Sequence, residues 1–140
     1  MTDFIKQRDF FNKSENTYSQ NLVFNPPIHT VLEINEIIKR INGGEDMEGG
    51  DFGAGSGRIS IPLLKKGFKV WAIDVSENSL SNLERLAKIL NLSDLWTAKE
   101  FPKNKKFKTI VGADILHHID LDKTLPILYQ ALKISGKIVV

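Results

Sequence analysis

Three glycines at alternate positions, in the run Asp51-Phe52-Gly53-Ala54-Gly55-Ser56-Gly57, constrain this chain more than any other feature. Backbone without Cβ atoms at such spacing turns sharply and lets a ligand touch it, and the natural place for such a loop is between a strand end and a helix start. The flanking segments fit that placing. Arg58 to Lys66 reads as a helix closed by Gly67, and Phe68 to Asp74 reads as a strand with Val70 and Ile73 among its apolar positions. One acidic residue, Asp51, therefore precedes the loop, and another, Asp74, closes the strand that follows.

The same alternation of short apolar segments and helical ones continues to the end of the chain, which predicts repeated strand-helix units and a mostly parallel sheet. Ser76 is placed to cap a helix whose apolar stripe is Leu80, Leu83, Leu86, Ala87 and Leu90. Leu95 to Ala98 and Phe107 to Ala113 read as strands, Leu121 to Lys133 as a helix, and Ser135-Gly136 as a turn into a last strand, Lys137 to Val140. Upstream, Pro26-Pro27 forces an extended or turn conformation. A helix then carries Val31, Leu32, Ile34, Ile37, Ile38 and Ile41 on one side and stops at Gly43-Gly44. The lead-in to Asp51, Glu45-Asp46-Met47-Glu48-Gly49-Gly50, is polar and glycine-rich where a buried apolar strand is expected, so the first strand should be short or distorted.

Composition narrows the chemistry. With no cysteine, disulfides, thiolate metal sites and a cysteine nucleophile are excluded, and any metal needs histidine or carboxylate ligands. The formal charge of +2 is too small to argue for nucleic acid, and the cluster Lys103, Lys105, Lys106 and Lys108 reads as a solvated loop. No apolar run approaches the roughly 18 residues of a membrane span, and the first residues lack the pattern of a secretory leader, so a cytoplasmic protein is expected.

The glycine spacing also separates cofactors. The dinucleotide fingerprint has its third glycine three residues after the second, a position held here by Arg58, and no Gly-Lys-Ser/Thr follows as a phosphate loop requires. An acidic residue two before the first glycine, G-x-G-x-G, and an acidic residue closing the next strand resemble motifs I and II of class I S-adenosylmethionine (SAM)-dependent methyltransferases. Phe107-Lys108-Thr109-Ile110-Val111, Ile115-Leu116-His117-His118-Ile119, and Ala131-Leu132-Lys133 before Gly136-Lys137 resemble the fourth strand, its loop and the fifth strand of the small-molecule members. Phe11-Asn12-Lys13-Ser14 through Tyr18 is similar to an N-terminal segment of the ubiquinone-biosynthesis type that closes over the cofactor. Asn25-Pro26-Pro27-Ile28 looks like the signature of base-modifying amino-methyltransferases, but it precedes the glycine loop and lacks the aromatic residue, which disfavours a nucleic acid substrate.

The resemblance implies a doubly wound, mostly parallel sheet with helices on both faces, a Rossmann-like core over residues 45–140 that lacks the family's last two strands, and an N-terminal helical cap over residues 1–44. It implies SAM as cofactor, with Asp51, Gly53, Ala54, Gly55, Asp74, Val75, Asp114 and Tyr18 at the cofactor and Asp74 on both ribose hydroxyls. Thr97 or Lys99 falls where the family often sets an acidic residue near adenine. The implied activity is methyl transfer to a small molecule, with His117 or His118 as general base and no metal. Two other readings are a SAM-binding module without catalysis and, against the glycine spacing, a nicotinamide-dependent oxidoreductase.

Overall fold

The computed structural model describes residues 25–41, 48–113, 115 and 118–140. Among them the chain runs α1 (Ile28–Ile41), β1 (Glu48–Phe52), α2 (Ser60–Lys65), β2 (Lys69–Ile73), α3 (Glu77–Ile89), β3 (Leu95–Ala98), β4 (Phe107–Val111), α4 (Leu121–Ala131) and β5 (Leu132–Val139). The strands form one five-stranded sheet in the order β3-β2-β1-β4-β5, and each pair is parallel. The parallel sheet expected from the alternation is therefore present, in the doubly wound order that the resemblance implies.

Side-chain alternation along the strands divides the core in two. Val70, Ala72 and Val111 join Ile34 and Ile37 of α1, Ile61, Leu63 and Leu64 of α2, and Leu80, Leu83, Leu86 and Ala87 of α3. Their neighbours Trp71 and Ile110 face the other way, where Phe107, Leu128 and Ala131 form a second cluster with Phe52 and Phe101 packed against it. Three helices thus cover one face and α4 the other. The crossover from β3 to β4 contains no helix, and aromatic rings occupy that space instead. Phe52 stacks on Phe101 with centroids 5.9 Å apart, and Trp71 stacks on Trp96 at 5.3 Å.

The first strand is regular, which corrects the expectation of a short or distorted one. All five of its residues pair with β2 in unbroken register, Glu48 with Lys69 through Phe52 with Ile73, and Gly50 and Asp51 pair with Ile110 and Val111 of β4. Its glycines serve close approach rather than weakness. A Cβ on Gly50 would come within 3.0 Å of the Phe101 ring, and one on Gly49 within 3.3 Å of the Thr109 carbonyl oxygen.

Other boundaries shift for local reasons. Gly57 to Ile59 remains in turns, so α2 begins at Ser60 rather than Arg58. Gly67 ends α2 with φ +91°, its N–H bonding to Leu64 O and the Phe68 N–H to Leu63 O. Leu32 is 59% exposed because the packing face of α1 is Thr30, Ile34 and Ile37. Strand pairing starts at Leu132, directly after α4, and Ser135-Gly136 forms a bulge inside β5: Phe107 pairs with Leu132 and Thr109 with Lys137. Ser135 takes φ 63° there. The lysine cluster is not wholly solvated either, since Lys105 pairs with Glu48 at 2.5 Å and lies over the Trp71 ring, while Lys106 donates to Gln130 O.

Candidate functional site

In an open parallel sheet the ligand crevice lies beyond the carboxyl ends of the strands where the winding direction reverses. Here that point is between β1 and β4, so the loops after Phe52 and after Val111 flank it. The glycine loop leaves β1 by hydrogen bonds to the end of β2, with the Gly53 and Ala54 N–H groups donating to Ile73 O at 2.8 and 3.1 Å. Gly53, Gly55 and Gly57 all have positive φ, at 72°, 55° and 108°. That conformation is open to glycine and strained for most other residues.

The three glycines differ in what surrounds them. A Cβ on Gly53 would collide with Ile115, 2.9 Å from its Cγ1, and one on Gly57 would come 2.5 Å from Leu83 Cδ1 and 2.9 Å from Ile61 Cγ1. A Cβ on Gly55 would meet nothing within 4 Å. The outer two glycines therefore fit the loop against the protein, and the middle one faces open space.

Asp74 ties the loop to the next helix. Its Oδ2 accepts from the Gly55 N–H and its Oδ1 from the Ser76 N–H, both at 2.8 Å. Ser76 in turn caps α3, its Oγ accepting from the Ser79 N–H at 3.2 Å. Burial raises the Asp74 carboxyl above its usual range, with the N–H groups of Ser76, Gly55 and Val75 pulling in the opposite direction. Val75 is exposed beside it and Ala54 is buried.

Asp51 turns inward. It is 2% exposed, and its Oδ2 accepts from Ser60 Oγ at 2.6 Å. Burial above all pushes its carboxyl up to about 6, the Ser60 hydroxyl opposing and the like charge of Asp74 adding. Ser60, fully buried in the first turn of α2, was not singled out from the sequence. The signal available was a small hydroxyl residue, nine positions after Asp51, on a helix whose neighbours Ile61, Leu63 and Leu64 are all buried. Ser56 was missed too: it is 8% exposed, and its Oγ has no hydrogen-bond partner among the described residues.

After β4 the described chain has the His118 N–H donating to Ile115 O at 2.9 Å, with His118 half-buried. Tyr18, Asp114 and His117 lie outside the described residues. At the end of β3, Thr97 donates to Glu84, Lys99 pairs with Glu77, and Ala98 O accepts from the Asp74 N–H. No group of three or more histidine, aspartate or glutamate side chains suited to a metal occurs among the described residues.

A parallel sheet with a glycine loop at its switch point and an acidic clamp on the next strand defines a Rossmann-like nucleotide-cofactor protein. Residues 51–138 match the model of the Methyltransferase domain family, and the chain belongs to that family. Over 114 residues it is 26% identical to the ubiquinone biosynthesis O-methyltransferase of Rickettsia canadensis (strain McKiel), an alignment covering 79% of this chain and 48% of that protein. The chain thus spans about half the length of this curated relative. Among solved structures it is similar to magnesium protoporphyrin IX methyltransferase from Synechocystis PCC 6803 with bound SAM, with TM-score 0.68, 18% identity, and 92% and 70% of the two chains covered. It is also similar to Haemonchus contortus phosphoethanolamine N-methyltransferase 1 in complex with phosphoethanolamine and S-adenosylhomocysteine, with TM-score 0.74, 14% identity, and 98% and 31% covered. At these identities the structural likeness speaks for the fold.

Proposed function

We propose that this chain carries the cofactor-binding part of a SAM-dependent methyltransferase acting on a small molecule. The observation that carries the reading is the Asp74 carboxylate at the end of β2, bonded at once to the glycine loop and to the start of α3. A carboxylate has about four acceptor positions. The N–H bonds of Gly55 and Ser76 fall one on each oxygen and leave acceptor capacity on the carboxylate, and two adjacent ribose hydroxyls offer two donors at matching separation. The open space over Gly55 and the buried Ser56 hydroxyl, without a partner among the described residues, also fit a ligand lying along the loop.

When bound, SAM supplies a sulfonium methyl that a nucleophile attacks in line. The chain's own residues hold and orient. Asp74 takes the ribose, away from the reacting sulfur, so that its charge does not oppose the loss of positive charge in the transition state. Gly53, Ala54, Gly55 and Val75 form the wall around the cofactor, with Asp51 beneath. Tyr18 and Asp114 complete the wall in this proposal, and His117 or His118 removes a proton from the acceptor if the reaction requires it. The division into an N-terminal cap of residues 1–44 and a binding core of residues 45–140 belongs to the same reading.

A small-molecule acceptor is supported by the names of the similar proteins, which concern ubiquinone biosynthesis, magnesium protoporphyrin IX and phosphoethanolamine. A cytoplasmic location is also part of the proposal, on the chain's ordinary balance of 41% hydrophobic and 26% charged residues; among the described residues no helix is long and apolar enough to cross a membrane.

Titration calorimetry with S-adenosylhomocysteine tests the site. Asp74→Ala should lose about tenfold or more in affinity, the equivalent of roughly 1.5–3 kcal/mol for a hydrogen bond to a charged group. NADH, run in parallel, should give no binding heat. Equal affinity of wild type and Asp74→Ala for S-adenosylhomocysteine removes Asp74 from the site.

A further inference from the structure

Asp51 is an unusual residue for its position. It is the fourth of five residues in the central strand, between Ala72 of β2 and Val111 of β4, where packing alone calls for an apolar side chain. A carboxylate buried at such a place normally has a cation or several donors. The side-chain hydrogen bond to Asp51 comes from a neutral group, the Ser60 hydroxyl, itself fully buried. Arg58, whose charge reaches Asp51, is engaged with Glu33 of α1 at 2.8 Å. The other charge Asp51 feels, that of Asp74, is negative. In the same loop, the buried Ser56 Oγ has no partner among the described residues, so the polar groups here are not all satisfied within the protein.

We propose that Asp51, held in place by Ser60, is a specificity-determining residue whose negative charge beneath the glycine loop favours the cationic cofactor over its neutral-thioether product. This rests on the reading that the loop holds SAM. Methyl transfer breaks the sulfur–methyl bond and forms a bond from methyl to the nucleophile. The sulfur keeps the bonding electron pair, so its positive charge is lost, and the acceptor gives up a proton when it carries one. S-Adenosylmethionine and S-adenosylhomocysteine therefore differ by one positive charge at sulfur, while sharing the ammonium, carboxylate and ribose. A fixed charge under the loop acts on that difference through space, without touching the sulfur. Its consequence is exchange: product is released in favour of fresh cofactor.

The groups facing Asp51 define how the preference responds to pH. Ser60 and Val111 carry no charge, Arg58 is paired with Glu33, and Asp74 is the other carboxylate that acts on Asp51. Because burial holds the Asp51 carboxyl near 6, its charge is present above that value and lost below it. A cation bound nearby draws that pH downward, so SAM binding near pH 6 should expel a proton that the thioether leaves in place.

Calorimetry of the full chain with each ligand, at about pH 5, 6 and 7.5 and in two buffers of different ionisation heat, tests this. For the wild type, the preference for SAM over S-adenosylhomocysteine should rise by roughly tenfold between pH 5 and 7.5, with more proton release for SAM at pH 6. Asp51→Asn should flatten both. Ser60→Ala, losing the donor that favours the ionised form, should keep the pH dependence and move its midpoint upward, an outcome a merely structural role would not give. Ser60→Ala also decides the matter if Asp51→Asn fails to fold. A wild-type preference that does not change with pH overturns the proposal, as does an unchanged slope in Asp51→Asn. Failure of the wild type to bind either ligand overturns instead the reading of the loop as the cofactor site, and this proposal with it.

Discussion

Replacing Asp51 by Asn isolates the energetic consequence of placing a carboxylate in the centre of the sheet. The side chain is buried, and its carboxyl is raised from 3.8 to about 6. At about 1.4 kcal/mol per unit, that displacement is worth on the order of 3 kcal/mol. The sign follows from linkage. Below about pH 4 both folded and unfolded chains hold the proton and Asp51 contributes no pH-dependent cost. Between there and about 6 the unfolded chain ionises while the folded one keeps its proton, so stability falls as pH rises. Above that range the whole cost is present. Asparagine keeps a carbonyl oxygen to accept the Ser60 hydroxyl and carries no charge. Any cost of its unpaired amide N–H groups, roughly 1–3 kcal/mol, is the same at every pH. Urea unfolding of both proteins across pH 4 to 7, analysed at constant m-value, should therefore show Asp51→Asn gaining on the wild type by up to about 3 kcal/mol from the acid to the neutral end. Parallel stability curves would refute the argument, because they would mean that Asp51 titrates alike in the folded and unfolded chains.

The glycines should separate by mechanism. Gly57→Ala combines a left-handed backbone with a collision against Leu83 and Ile61 and should lower stability by on the order of 2–4 kcal/mol in chemical denaturation. Gly55→Ala, with open space around its Cβ, should cost only about 1 kcal/mol of stability while weakening S-adenosylhomocysteine binding severely by calorimetry; normal binding by Gly55→Ala would mean that the loop does not face the ligand. For the acceptor side, once a screen of hydroxyl, amine and carboxylate compounds has found a reaction, replacing the proposed general base, His117 or His118, by Asn should change the pH profile of kcat/KM and slow turnover by roughly 10²–10⁴. Unchanged pH profiles in both variants would leave catalysis to positioning alone.

Much of the fold was legible because local chemistry and the final structure agree. The helices announced themselves through spacing and caps: Ser76 starts α3 and Gly67 closes α2, as each was read to do. Asp74 was set with the glycine loop by the resemblance to motif II, and in the structure its carboxylate accepts from the Gly55 N–H. What failed was also local in origin. Polar, glycine-rich residues before Asp51 read as a poor strand, since strand propensity measures the packing of side chains and Gly49 and Gly50 have none to pack. Their value appears only when Phe101 and the Thr109 carbonyl, from segments about fifty to sixty residues away, close against them.

The sequence by itself determined the order of strands and helices, the loop that must turn without side chains, and the acidic residue at the end of β2, because each depends on neighbours a few positions apart. Only the tertiary structure decided that Asp51 faces inward to Ser60 while Asp74 faces the loop. Both are aspartates at strand ends in adjacent parallel strands, and nothing in their own segments distinguishes them. The difference arises from pleat and burial: Asp51 lies on the face covered by α1, α2 and α3, whereas Asp74 stands just beyond the last paired residue of β2, where the Gly55 and Ser76 N–H groups converge on it.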